Sequence, residues 1–269
     1  MVAEDYSEVT ELPGSGATRE QLERLYHRYH KGRLLAEGRR VLEVACGAGM
    51  GLGYLEETSS FIVGSDYTHG LLGVARGQYG SRVPLLRLDA QYLPFANRFF
   101  DVVLLYEAIY YIPRPELFVR EAARVLAPGG VLLVATANRE WEEFAPSPHS
   151  CQYLSAGQLD ALLRESGFTE VIVEAAFRTG GKSLRQRVTG LIRRAVVSLN
   201  LMPSTLKARE RYKRLFYGRL EPIPPEVSVS LSDYVPAEEV DPSFPVTNYK
   251  VVYCSGTRMD DRGDEGRNL

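Results

Sequence analysis

An apolar run, VLEVA, gives way at Ala45 to C-G-A-G and then to MGLG, so residues 41–53 read as a strand, a tight turn and the first turn of a helix. Small residues at Ala45, Gly47 and Gly49 let the backbone pass close against a bound molecule, and the helix N-terminus beyond offers unpaired N–H groups to an anion. A dinucleotide fingerprint needs its third glycine where Leu52 stands, which disfavours a nicotinamide ligand. The next candidate is Asp66. It ends another apolar run about twenty residues beyond Gly47, the separation at which an acid accepts hydrogen bonds from both ribose hydroxyls; capping the following helix is its alternative role. In LDAQYLPF (88–95), Asp89 can accept from an exocyclic adenine amine while the Ala90 N–H meets a ring nitrogen, or Asp89 is a solvated turn carboxylate.

Such residues act together only if a sheet brings them to one edge. Apolar runs at 41–45, 61–66, 83–88, 101–106 and 130–136 alternate with helix-like stretches at 50–57, 68–79, 114–126 and 155–166, and runs at 171–177 and 248–256 add two more strands. That alternation predicts βαβ units and a mostly parallel sheet with helices on both faces. REQLERLYHRYHKGRLLAE predicts a helix ahead of the first strand, and residues 1–18, acidic and rich in Gly, Ser and Thr, read as a loose arm. Roughly seventy residues separate the last two strands, far beyond the usual loop of about 4–6. They predict an insertion at 181–247, with a basic amphipathic helix from Leu184 to Leu199, a second at 205–217 and a proline-rich irregular stretch after it. The tail 258–269 reads as disordered.

Composition bounds the function classes. A chain of 269 residues, 45% hydrophobic and 25% charged, can bury one principal α/β core, so 1–257 reads as a single domain. It shows no eighteen-residue apolar run and no basic and apolar leader, and the expected location is cytoplasmic. Cys46, Cys151 and Cys254 are scattered, which excludes a disulfide framework and a cysteine-based zinc site, so no metal is expected. Residues 181–220 hold eleven Lys or Arg against the single acid Glu210, while the rest of the chain is net acidic. A basic block of this kind attracts phosphates, acidic lipid or nucleic acid, or forms a solvated helical face.

The ordered segments E-V-A-C-G-A-G, the strand-end Asp66, L-D-A, F-D-V-V-L-L-Y-E-A and R-V-L-A-P-G-G-V-L-L-V resemble the motifs of class I S-adenosylmethionine (SAM)-dependent methyltransferases. The resemblance covers roughly 38–178. It is nearest the small-molecule subset that includes ubiquinone and menaquinone methyltransferases and bacterial sugar or glycan O-methyltransferases. It implies a Rossmann-like seven-stranded sheet in the order 3-2-1-4-5-7-6 with strand seven antiparallel, and SAM as methyl donor. It also implies Glu43 near the donor's amine and Tyr106 lining the pocket. LYHRYHKG resembles a helix whose Arg-Tyr pair closes over the donor, which implies that Arg28 pairs with the donor carboxylate, although a surface position among Arg24, Lys31 and Arg33 is its alternative. Ala45 departs from the glycine that many members carry, and alanine is expected to cost little there.

Methyl transfer needs acceptor and methyl held collinear, and a base only if the acceptor is a hydroxyl or another protonated nucleophile. The first candidate base is His149, in WEEFAPSPHSCQYLS after the fifth strand, with a structural or exposed histidine as its alternative role and Glu107 and His30 as runners-up. Tyr106, Tyr110, Tyr111, Trp141 and Tyr153 near the same edge suit a ring or sugar face, or simply pack together. The leading expectation is methylation of a small molecule or saccharide, most readily at a hydroxyl oxygen, with 181–247 as a lid. The alternatives are a lipid-linked acceptor met at a membrane surface through 181–220, and a non-catalytic SAM-binding or nucleic-acid-binding protein. Few aromatics interleave the basic helix, which disfavours nucleic acid.

Overall fold

The computed structural model describes residues 5–147, 149–179 and 220–259. Seven strands of three to twelve residues form the body of the sheet: β1 (Arg40–Val44), β2 (Phe61–Asp66), β3 (Leu85–Arg87), β4 (Phe100–Tyr106), β5 (Leu126–Ala137), β6 (Phe168–Arg178) and β7 (Tyr249–Arg258). Their order is β3-β2-β1-β4-β5-β7-β6, with β7 antiparallel to both neighbours, as expected. A two-residue strand, Glu238–Glu239, joins the β6 edge antiparallel and makes the sheet eight-stranded rather than seven-stranded.

Five described helices cover the two faces: α1 (Arg19–Ala36), α2 (Leu52–Glu56), α3 (His69–Tyr79), α4 (Pro115–Val125) and α5 (Ala156–Glu165). Alternation along β4 divides its side chains between two cores. Val102 and Leu104 pack with α1, α2 and α3, whereas Val103 and Leu105 pack with α4 and α5. α1 starts in a capping box, Thr18 with Gln21, and lays Leu22, Leu25 and Tyr29 on the sheet. The fit is close where Gly51 meets Tyr29: a Cβ on Gly51 would lie 1.9 Å from the Tyr29 ring. Gly51→Ala should therefore destabilise the fold by about 1–3 kcal/mol through overpacking. A lowered urea midpoint is the readout, and an unchanged one would show that the ring shifts freely.

Two segments differ from expectation. The N-terminal arm is held down rather than loose over residues 5–17, because Gly16–Ala17 pairs with Glu221–Pro222 and the Tyr6 N–H reaches Thr68 Oγ1. Residues 220–247 have little regular structure yet pack as a strap: Ile223 and Val227 are buried, the Val227 N–H bonds to the Met50 carbonyl, and Tyr234 lies against the His27 and His30 rings. The basic helices expected within 184–217 and the tail beyond Met259 lie outside the described residues. Among the described residues, no helix is long and apolar enough to cross a membrane.

Candidate active site

Strand order reverses between β1 and β4, and a cavity of about 410 Å³ opens at the carboxyl ends of these strands, the place where open α/β sheets hold ligands. Arg28, Glu43, Ala45, Gly47, Asp66, Asp89, Ala90, Tyr106 and Glu107 all contribute to its wall. The turn after β1 makes this close approach possible. Gly47 and Gly49 have φ of +59° and +78°, and Ala45 shares the left-handed region at +59°. Alanine at 45 thus carries backbone strain on the order of 1 kcal/mol, contrary to the expectation that it costs little.

Asp66 braces that turn: Oδ2 accepts from the Gly47 N–H at 2.9 Å and Oδ1 from the Thr68 N–H at 2.8 Å. Burial pushes its carboxyl above the usual range, against the pull of those N–H groups. Asp89 is likewise tied locally, with Oδ1 accepting from the Gln91 N–H at 2.9 Å. Glu43 is buried at the cavity floor, and the Tyr29 hydroxyl donates to its Oε1 at 2.7 Å. Burial pushes its carboxyl up to about 7, while Tyr29 and Arg28 pull it down and Asp66 adds to the rise.

Arg28, from α1, donates to Glu11 of the arm at 2.5 Å. Among the described residues, seven side-chain polar atoms are buried without a hydrogen-bond partner; Glu43 Oε2, Arg28 Nε, Arg24 Nε, Gln91 Oε1 and Tyr106 Oη belong to residues that line the cavity, the Tyr106 hydroxyl lying against Gly32 of α1, whereas Ser59 Oγ and Trp141 Nε1 lie elsewhere. A buried polar atom left unpaired costs about 1–3 kcal/mol, so this set marks a surface built to meet a polar ligand.

At the outer end, Glu107 sits at φ +51° just past β4, a conformation unfavourable for a side chain other than glycine and aimed by its surroundings. Its Oε2 accepts from the Ala137 N–H and from the Tyr110 hydroxyl, each at 3.1 Å. Burial raises its carboxyl, and the nearby guanidinium groups of Arg28 and Arg24 oppose the rise. Tyr110 stacks on Tyr153 with centroids 4.3 Å apart, and Tyr6 of the arm packs on Tyr111 at 5.1 Å.

His149 is exposed and does not line the cavity. The cause is its loop: the Cys151 N–H bonds to the Tyr110 carbonyl at 2.7 Å and the Ser147 N–H to the Tyr153 hydroxyl at 3.0 Å. Those bonds tie the loop to Tyr110 and Tyr153, and His149, at φ +66°, stands on the outside. His30 also stands off the cavity, bonded through Nδ1 to the Tyr54 hydroxyl at 2.8 Å. No described residue of the strap lines the cavity, and the remainder of the expected lid, 181–219, lies outside the described residues. The arm does line the cavity, through residues that include Tyr6, Thr10 and Glu11. Sequence reading missed these three, and its nearest signal was the acidic character of residues 1–18.

Residues 42–134 match a family model described as a methyltransferase domain. The chain is similar to a probable S-adenosylmethionine-dependent methyltransferase of Mycolicibacterium smegmatis, 34% identical over 137 residues that cover 49% of this chain and 52% of the relative. It is also similar to the fatty-acid O-methyltransferase of that organism, 39% identical over 114 residues, 39% of this chain and 42% of the relative. The chain thus spans about half the length, or less, of these curated relatives. A SAM-dependent methyltransferase of Archaeoglobus fulgidus shares the fold, with a TM-score of 0.57 at 14% identity over 90% of this chain and 95% of its own.

Proposed function

We propose that the chain carries a class I SAM-dependent methyltransferase domain and that it methylates a hydroxyl of a small molecule or saccharide seated at the outer end of the cavity. One observation carries the reading: the unpaired buried atoms of the wall are complementary to the donor's amino-acid end, an acceptor at Glu43 Oε2 for its ammonium and a donor at Arg28 Nε for its carboxylate. Asp66 then takes the ribose hydroxyls, Asp89 and the Ala90 N–H take the adenine edge, and Tyr106 walls the pocket. When bound, SAM supplies an electrophilic methyl group on a cationic sulfonium. Glu107, on the wall beside Tyr110 and Tyr111, accepts the proton that the acceptor hydroxyl sheds, and the tyrosine faces hold the acceptor against the methyl.

A fatty-chain acceptor is the second reading. It is favoured by the relative named for fatty acids and by the basic block at 181–220, which suits an acidic lipid surface.

The donor assignment is tested by calorimetry with SAM on the wild-type chain and on Asp66→Ala. The substitution removes the brace on the Gly47 turn together with the ribose contact, so affinity should fall at least about tenfold. Unchanged affinity would remove Asp66 from the site.

A further inference from the structure

We infer that Glu11 is an internal competitor for the donor: its carboxylate occupies the guanidinium of Arg28 on which, in the reading above, the donor carboxylate docks. The inference rests on that reading of Arg28. Its evidence is the path of the arm, which crosses the mouth of the cavity and is fixed on both sides of Glu11. Ahead of Glu11, the Tyr6 N–H reaches Thr68 Oγ1 and the Tyr6 ring packs on Tyr67 and Tyr111. Behind it, the Gly14 N–H bonds to the Ile223 carbonyl and Gly16–Ala17 pairs with Glu221–Pro222. Between these anchors, the Thr10 Cγ2 lies 3.0 Å from where a Cβ on Gly47 would stand, so the arm covers the glycine turn itself.

Within that clamp, Glu11 Oε2 takes the Arg28 Nη2 while the buried Arg28 Nε has no partner. The Arg28 side chain is 12% exposed, against 31% for Glu11, so the guanidinium belongs to the cavity and the carboxylate reaches it from the rim. A carboxylate binds a guanidinium in bidentate fashion through Nε and Nη2 or through Nη1 and Nη2, and both forks use the Nη2 that Glu11 holds. Glu11 holds one edge already. A second carboxylate on the same group meets it at like charge, in a site where Glu43, Asp66 and Glu107 already add negative charge. One of the two carboxylates must yield, and the one held from the rim is Glu11. The pair is a built-in selection for ligands that bring their own carboxylate.

The test compares Glu11→Gln with the wild-type chain by calorimetry, with SAM and with 5′-methylthioadenosine, which has the nucleoside and no amino-acid end. Glu11→Gln should bind SAM on the order of tenfold more tightly, with 5′-methylthioadenosine unchanged. Glu11→Ala should do the same, which separates loss of the charge from any new contact made by the amide. SAM bound with equal or weaker affinity by both variants would overturn the inference, and so would an equal gain for both ligands, since that would report general loosening of the arm. If the wild-type chain binds 5′-methylthioadenosine and SAM alike, Arg28 does not read the carboxylate, and the inference falls while the nucleoside site stands. If it binds neither, the donor assignment itself falls.

Discussion

Glu107→Gln should lower kcat by about a hundredfold or more at pH 8 once an acceptor is in hand, while SAM affinity stays within about twofold of wild type. The amide keeps the shape of the side chain and can still accept from the Ala137 N–H or the Tyr110 hydroxyl, so the turn after β4 should survive. What it loses is a lone pair basic enough to take a proton. Burial raises the Glu107 carboxyl above its ordinary value, which makes the ionised form a stronger base than a solvated glutamate. The sign of the pH effect follows. The base works only when ionised, so wild-type kcat should climb with pH through its raised titration, and that limb should be absent in Glu107→Gln. His149→Ala provides the contrast, with a change below about tenfold expected because the residue is exposed and off the cavity wall. A full loss in His149→Ala with Glu107→Gln near wild type would reverse the assignment. Equal, small effects in both would leave positioning of the acceptor as the source of rate.

Much of the frame behind that contrast was legible in residue order. The apolar runs became β1 to β7 within a few residues, because period and turn residues report local structure directly. Gly47, Asp66 and Asp89 fell into one cavity because each stands at or just past the end of a parallel strand, and parallel strands present their carboxyl ends together. Properties set by distant contacts were not legible. Whether the loop after β5 turns His149 in or out depends on bonds from Cys151 to Tyr110 and from Ser147 to Tyr153, which no spacing rule encodes. Nor does alanine at 45 or glutamate at 107 announce a left-handed backbone, a conformation imposed by the strand ends on either side. The arm was misread for a related reason: its composition is that of a mobile segment, and its order comes from pairing with Glu221–Pro222, more than two hundred residues away. His27 shows the same limit inside the fold. Held between the Tyr253 hydroxyl and the Val235 carbonyl, it is kept neutral by burial, with its titration lowered to about 4, and serves packing.

Glu43→Gln should weaken SAM binding by tenfold or more and, at pH 8, raise the melting temperature of the ligand-free protein. The two effects have one origin. The Glu43 carboxyl lies in the β1 floor facing Tyr29 and Arg28 of α1, Asp66 of β2 and the Cys46 thiol, and burial pushes it up to about 7. A folded-state value above the unfolded one means that folding takes up a proton between the two. The stability this provides is complete below the ordinary carboxylate range and is lost as pH rises through about 7. Above that pH the ligand-free fold carries a buried charge with an unpaired Oε2, at a cost on the order of 3 kcal/mol. Glutamine removes the charge, retains an acceptor for the Tyr29 hydroxyl, and should flatten this part of the stability profile between pH 5 and 8. Donor binding runs the opposite way. An ammonium beside Oε2 favours the carboxylate, so SAM affinity should be about tenfold weaker at pH 6 than its plateau above pH 8, with proton release measurable in buffers of different ionisation enthalpy. Asp66, also raised by burial, adds a loss of the same sign at lower pH. In Glu43→Gln the loss near neutrality should vanish along with most of the affinity. A variant that binds SAM normally, with an unaltered pH dependence, would move the ammonium away from Glu43 and leave its buried charge without a function.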